Sequence, residues 1–222
     1  MRYAISDIHG CAKTFRHLVT EVLQLKPTDE LFLLGDYIDR GPDSKGVIDF
    51  ILELKRHGFK ARTLSGNHEA MMLDALEDTE SLAHWNMNGG RQTLTSFGVT
   101  AIRDVPPSYW LFLQHLEYFI ELDDYLLVHA GFNFRAENPL TDFDSMLWIR
   151  NFQVDQEFLG QRKIVHGHTP TPVHKISQTI ENKAQVINID AGCVYVNRMA
   201  GLGYLTGLNL DTLEYFLVPN QD

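Results

Sequence analysis

Cysteine is scarce. Cys11 and Cys193 are the only two in 222 residues, and they form no C-x-x-C pair. A disulfide-built scaffold is therefore excluded, and both are read as small, half-buried thiols. Basic residues are also in deficit: 19 Lys and Arg against 29 Asp and Glu give a net charge of -10 and a pI near 5.4. That balance argues against a broad nucleic-acid or anionic-membrane surface and leaves room for a locally basic cleft. No apolar run approaches the length of a membrane span. No signal peptide is visible, because Arg2-Tyr3-Ala4-Ile5 already reads as a strand, so the cytoplasm is the expected compartment. Long repeats, low-complexity tracts and flexible linkers are absent too. With 44% hydrophobic and 22% charged residues, the chain has the composition of one α/β domain over residues 1–222.

The stretch that organises the chain is Leu31 to Pro42, LFLLGDYIDRGP. Four apolar residues read as a short buried strand, cut off by Gly35. Asp36, Asp39 and Arg40 follow in a tight loop closed by Gly41-Pro42. Two carboxylates and a guanidinium at the end of a buried strand are costly unless something there needs them. A metal ion and a phosphoryl group would account for all three.

The same arrangement recurs on either side. Arg2 to Ser6 reads as a strand ending in Asp7-Ile8-His9-Gly10. Phe15, Leu18, Val19, Val22 and Leu25 then share a helical face until Pro27 stops it. Asp43 or Ser44 caps a second helix, with Val47, Ile48, Ile51 and Leu52 inward and Gly58 as its stop. Lys60 to Ser65 is a third strand, ending in Gly66-Asn67-His68-Glu69. Strand, polar loop and helix thus occur three times running, and open α/β sheets place ligands at such strand ends. Right-handed crossovers line the three loops up along one edge.

Residues 70–122 read as a mainly helical insertion over the edge of the site, with Trp85, Tyr109, Trp110 and Phe112 as its core. Tyr125–Val128 is a strand ending in His129-Ala130-Gly131, and residues 132–160 read as a long polar-aromatic loop carrying Trp148 and Arg150. Lys163–Val165 is a strand ending in His166-Gly167-His168-Thr169-Pro170. From Gln185 on, Val186–Ile189, Gly203–Leu208 and Leu213–Leu217 read as strands without intervening helices, which suggests antiparallel pairing added to the βαβ sheet.

The strand-end loops together offer Asp7, His9, Asp36, Asn67, His129 and one of His166 or His168. Carboxylate and amide oxygens mixed with imidazoles suit Mn, Fe or Zn better than Mg alone. Two metals sharing one carboxylate is the economical arrangement, and Asp36, on the middle strand, is the bridge. A water between two such cations is deprotonated near neutral pH and attacks phosphorus in line. His68, beside Asn67, is placed to protonate the leaving oxygen, oriented by a carboxylate such as Asp39. Arg40 and Arg150 would hold phosphate oxygens in fork geometry. Taken singly, each motif reads better as a helix cap, a turn or a surface histidine. The regular spacing of Asp-x-His, Gly-Asp-x-x-Asp-Arg-Gly and Gly-Asn-His-Glu, each closing a strand, reverses that.

The set SDIHG (6–10), GDYIDRG (35–41), GNHE (66–69), VHAG (128–131) and HGHTP (166–170) resembles the calcineurin-like metallophosphoesterases, in their phosphoprotein phosphatase branch. The resemblance implies two mixed β-sheets packed as a sandwich flanked by helices, and phosphomonoester hydrolysis at a dinuclear metal centre. Carried over by position, it implies Asp7, His9 and Asp36 on the first metal, and Asp36, Asn67, His129 and His168 on the second. It implies His68 with Asp39 as proton donor, Arg40 on phosphate, and Arg150 as the further phosphate-binding arginine. His166 is then a strand end or a residue behind the ligands. Ser6 stands where the family usually has Gly.

Three substrates follow from the resemblance. A protein serine/threonine phosphatase, active also on phosphotyrosine in one variant of the reading, is the first. A dinucleoside polyphosphate hydrolase is the second. Such relatives typically carry Gln, Asn and Asp where this chain has His9, Asp39 and Glu69, which favours the first. A nuclease or phosphodiesterase is the third, disfavoured by Arg40 and by the missing basic surface. A non-enzymatic alternative is a metal-binding scaffold that recognises phosphoproteins. Two divalent metals, Mn first, and a phosphoprotein or small phosphate ester are the expected partners.

Overall fold

The computed structural model describes residues 1–222, and the chain is built from two β-sheets. The first contains β1 (Arg2–Ile5), β2 (Glu30–Leu33), β3 (Lys60–Thr63), β8 (Tyr204–Asn209) and β9 (Tyr215–Pro219), in the order β3-β2-β1-β8-β9. β1, β2 and β3 are parallel, with Ile5, Leu33 and Thr63 level with one another, so their loops leave the sheet side by side. β8 and β9 extend it antiparallel from the other edge of β1. The second sheet contains β4 (Phe119–Glu121), β5 (Tyr125–Val128), β6 (Lys163–His166) and β7 (Val186–Asn188) in sequence order, with only β4 antiparallel.

Alternation along each strand decides what packs where, since successive side chains point to opposite faces. Ala4, Phe32, Leu34 and Leu208 of the first sheet meet Tyr125, Leu127, Val165 and Ile187 of the second. Tyr3, Ile5, Leu31 and Leu33 face the other way, onto helices α1 (Ala12–His17), α2 (Ser44–Arg56), α3 (Asn67–Asp74) and those that follow. Leu126, Val128 and Ile164 face outward under Phe132, Met146 and Leu159. Helices therefore cover both outer faces of a sandwich, the fold class that the motifs imply. Each of these fully buried aliphatic side chains contributes about 2 kcal/mol from removal of its surface from water.

Helices α4 (Thr79–Trp85), α5 (Arg91–Phe97) and α6 (Pro107–Gln114) occupy the span read as a helical insertion. They bury Trp85, Tyr109 and Phe112 and half-bury Trp110 against the first sheet's helices. That span ends sooner than the sequence reading has it, because residues 119–121 form β4 at the edge of the second sheet. Phe119 and Ile120 fit a pleated surface better than another helical turn, and α6 has already ended at Gln114.

Three other readings change. The loop over residues 132–160 contains two short helices, α7 (Phe143–Trp148) and α8 (Gln156–Leu159), each capped by an aspartate, Asp142 and Asp155. A ninth helix, α9 (Val173–Glu181), buries Ile176 and Ile180 and carries the chain from β6 to β7. β7 is accordingly parallel to β6 in the second sheet, so only β8 and β9 are the antiparallel addition to the first. The amphipathic run ending before Pro27 is also not one regular helix: α1 passes into a π-helical turn at Leu18–Val22. No helix is long and apolar enough to cross a membrane.

Candidate active site

The loops after β1, β2, β3, β5 and β6 meet at one end of the sandwich. Asp36 O accepts the backbone N–H of Ile8 and of His9, at 3.0 and 2.8 Å, which locks the first loop onto the second. Gly35 makes the turn possible. Its φ is +99°, and a Cβ there would lie 2.5 Å from the Gly66 nitrogen, so only glycine lets the second and third loops touch. The buried Glu69 carboxylate completes the frame by accepting the N–H groups of Asp36, Tyr37 and Gly66, each at 2.8 Å. Burial, with Asp36 nearby, pushes Glu69 up to about 7. The second sheet is tied in by His129 Nδ1, 2.9 Å from Leu34 O, and by the His168 N–H, 3.0 Å from Asp7 Oδ1.

Backbone strain concentrates here. Of the nine non-glycine residues with positive φ, five are His9, Asp36, Asp39, Arg40 and His168. Each costs on the order of 1 kcal/mol or more and persists only where surroundings over-determine it, a pattern typical of functional sites.

Every residue that the sequence singles out lies at this end. Asp36 stands between two groups of potential ligand atoms, His9–Asp36–His68 and Asp36–His129–His168, each with its atoms within 4.8 Å of one another. Asp36 Oδ2 lies 3.4 Å from His9 Nε2, and Oδ1 lies 3.5 Å from His129 Nε2. Asn67 Oδ1 is 3.1 Å from His129 Nε2 and 3.0 Å from His168 Nδ1. His166 Nδ1 lies 3.1 Å from Gly167 O, and the residue belongs to neither group. Asp7 accepts from the Ser6 hydroxyl and the His168 N–H, and His68 lies beside His9 and Asp36 at the edge of the first group.

The chemistry of these donors fits divalent cations. His9 and His129 hold backbone carbonyls, Ile38 O and Leu34 O, on their Nδ1 sides, so bare Nε2 lone pairs face the Asp36 carboxylate. With Asp36 ionised, acceptors converge on acceptors, an arrangement that a cation between them would stabilise. The Arg40 guanidinium, 2.5 Å from His9 Nε2, supplies such a charge on one side. On the other, His168 Nδ1 faces His129 Nε2 at 3.2 Å, beside Asn67 Oδ1. Burial holds the imidazoles neutral, as metal ligands must be: His9, pushed down also by Arg40, and His168, pushed down also by His129, both to about 3. Asp36 goes the opposite way, raised well above the ordinary carboxylate range by burial and by Asp7.

That contrast sets a pH dependence. His9 and His168 have already lost their protons above pH 5, whereas Asp36 must release one for a metal to bind. Mn²⁺ binding to metal-free protein should therefore weaken as pH falls, by up to about tenfold per unit, with release of about one proton. Calorimetry in two buffers of different ionisation enthalpy reads the proton directly. Binding without proton release would contradict the raised Asp36 carboxyl.

His68 and Asp39 form a second unit. His68 Nδ1 lies 2.7 Å from Asp39 Oδ2, while its Nε2 is buried and unpartnered at the edge of the first group. Asp39 also accepts from Trp85 Nε1 at 2.9 Å and from Thr93 Oγ1 at 2.6 Å. Sequence reasoning missed both, treating Trp85 as core only, because nothing local links residue 39 to an indole 46 positions away. Arg40 and Arg150 line one cavity of about 360 Å³ with Asp36, Asn67 and His168, and Trp148, Tyr195 and Arg198 share that lining.

Comparison with known proteins agrees with this geometry. The calcineurin-like phosphoesterase family matches residues 3–193. The chain is 28% identical over 202 residues to serine/threonine-protein phosphatase 1 of Salmonella typhimurium, covering 87% of each protein. It is 34% identical over 130 residues to the symmetrical bis(5'-nucleosyl)-tetraphosphatase of Nitrosospira multiformis, over 58% of this chain but only 42% of that protein's length. In fold it is similar to the cold-active protein-tyrosine phosphatase of a psychrophilic Shewanella species, with a TM-score of 0.64, 18% identity, and coverage of 99% of this chain and 80% of the other. Two mixed sheets, strand-end carboxylates and imidazoles gathered around Asp36, and a family match over most of the sequence lead to one assignment: this chain belongs to the calcineurin-like phosphoesterase family.

Proposed function

We propose that the protein is a metal-dependent phosphomonoesterase whose substrates are phosphoserine and phosphothreonine side chains. The observation that carries this reading is the His68–Asp39 pair, with an unpartnered Nε2 beside the cation groups. Burial raises the Asp39 carboxyl and lowers the His68 imidazole, so the pair avoids net charge and keeps one proton more than a bare carboxylate beside a neutral ring. Whether that proton sits on Oδ2 or on Nδ1, the remaining hydrogen is on Nε2. A donor held there matters most for an alkoxide leaving group, such as that of serine, and far less for a phosphate leaving group.

Asp7, His9 and Asp36 would hold one divalent metal, and Asp36, Asn67, His129 and His168 a second. When bound, such a pair polarises phosphoryl oxygens and makes water acidic enough to act as a nucleophile near neutral pH. Arg40 orients the phosphate through its fork of N–H groups, and Arg150, which lines the same cavity, adds a second fork. Thr93 and Trp85 keep Asp39 turned toward His68.

A dinucleoside polyphosphate hydrolase is the second reading, favoured by the Nitrosospira relative and by the number of arginines in the cavity. One experiment separates them: Mn²⁺-reconstituted protein assayed side by side on a phosphoserine peptide, a phosphotyrosine peptide and diadenosine tetraphosphate. We expect the highest kcat/KM on the phosphoserine peptide. A dinucleotide preferred by tenfold or more would put the second reading first.

A further inference from the structure

Arg198 has no role in the chemistry above. It is exposed, makes no ion pair, and its guanidinium lies 5.0 Å from the centre of the Tyr195 ring. The Arg40 guanidinium lies 5.6 Å from the same ring. One phenol ring therefore carries two cations, a favourable contact for each of them. The two guanidinium groups are no further apart than the sum of those distances. Nothing in the chain neutralises the outer one.

Two cavities meet at this ring. The inner one, already described, contains Asp36, Asn67 and His168. The outer one, of about 310 Å³, contains none of these and is lined by Met87, Gln92 and Val194 together with Arg40, Asn88, Tyr195 and Arg198, which belong to both. No carboxylate lines the outer cavity, in a chain whose net charge is -10. Its polar side chains are guanidinium, amide and phenol groups, all able to donate hydrogen bonds to an anion. The fork of an arginine matches phosphoryl oxygens in particular.

We propose that Arg198, with Asn88, Gln92 and the Tyr195 ring, forms a second phosphoryl subsite, which takes a second phosphoryl group carried by the substrate beyond the one that reacts. The proposal rests on the phosphoester hydrolase reading and narrows its substrate class. That second group comes either from a polyphosphate chain or from a neighbouring phosphorylated side chain, and the two sources present the same oxygens to the arginine. Because the subsite lies away from the reacting bond, it holds ground state and transition state equally and acts through KM.

The test uses the metal-reconstituted full chain and four substrates: phenyl phosphate, one peptide in singly and in doubly phosphorylated form, and diadenosine tetraphosphate. The wild type should favour a substrate with two phosphoryl groups in kcat/KM. Arg198→Ala should lose roughly tenfold more kcat/KM on that substrate than on phenyl phosphate, as expected for one charged hydrogen-bonded contact, with the loss in KM. Arg198→Lys, which keeps the charge and loses the fork, should recover part of it. Dependence seen only with the tetraphosphate assigns the subsite to a polyphosphate chain, and dependence only with the doubly phosphorylated peptide assigns it to a phosphoprotein. Equal loss on all four substrates, or no wild-type preference for a second phosphoryl group, overturns the proposal. No turnover of any ester by the wild type overturns the phosphomonoesterase reading, and the subsite with it.

Discussion

Asp36→Asn should abolish binding at both cation groups and lower kcat on the order of a thousandfold, the scale of losing several kcal/mol of charge stabilisation. No other single residue belongs to both groups. Its two oxygens face opposite ways, one toward His9 and one toward His129, so an amide replaces one acceptor with a donor and removes the charge that both groups share. The same change should not harm the metal-free fold. A carboxyl whose folded pKa is raised contributes stability below its unfolded value, near 3.8, and loses it as pH climbs through the folded value. At neutral pH the metal-free wild type bears that cost, and Asn does not. Thermal unfolding at pH 7.5 should then show metal-free Asp36→Asn at least as stable as the metal-free wild type, with no rise in Tm on adding Mn²⁺. A variant that still binds metal in wild-type amounts would remove Asp36 from the bridge.

His68→Asn is expected to lower kcat by roughly a hundredfold to ten-thousandfold on a phosphoserine peptide, the usual contribution of a general acid, while metal content is retained. The loss should shrink on p-nitrophenyl phosphate, whose leaving group needs little help from a proton. Asp39→Asn should fall nearly as far with His68 intact. An amide oxygen accepts from Nδ1–H and fixes the tautomer in which Nε2 is bare, so the proton donor is lost although the ring remains. Trp85 and Thr93 would still hold the amide in place. The comparison is decisive in one respect: a His68→Asn defect equal on both leaving groups would mean that the ring does not protonate the leaving oxygen.

Much of this site could be read from the sequence, for a physical reason. Asp7, His9, Asp36, Asp39 and Asn67 follow parallel strands directly, so the chain's own topology delivers them to one edge. Local order in sequence becomes order in space. What could not be read depends on distant partners. Trp85 reaches Asp39 from a helix whose aromatic residues look like core alone, and Arg198 comes from a segment with no strand or helix to mark it. β7 joins the second sheet because α9 crosses between, and a three-residue strand carries too little periodicity to declare its neighbour. β4 is equally short, and its pairing with β5 overrides the helical character of the span before it.

The hydrogen bonds from His129 to Leu34 and from His168 to Asp7 cross from one sheet to the other, so the candidate centre lies across the seam of the sandwich. Ions bound there would act as rivets. Ligand binding to the folded state alone stabilises it in proportion to the logarithm of ligand concentration over its dissociation constant. In a cell starved of divalent metal, the protein would lose its rivets along with its activity, and the opened seam would expose it to proteases. Its abundance would then follow metal supply without any dedicated sensor.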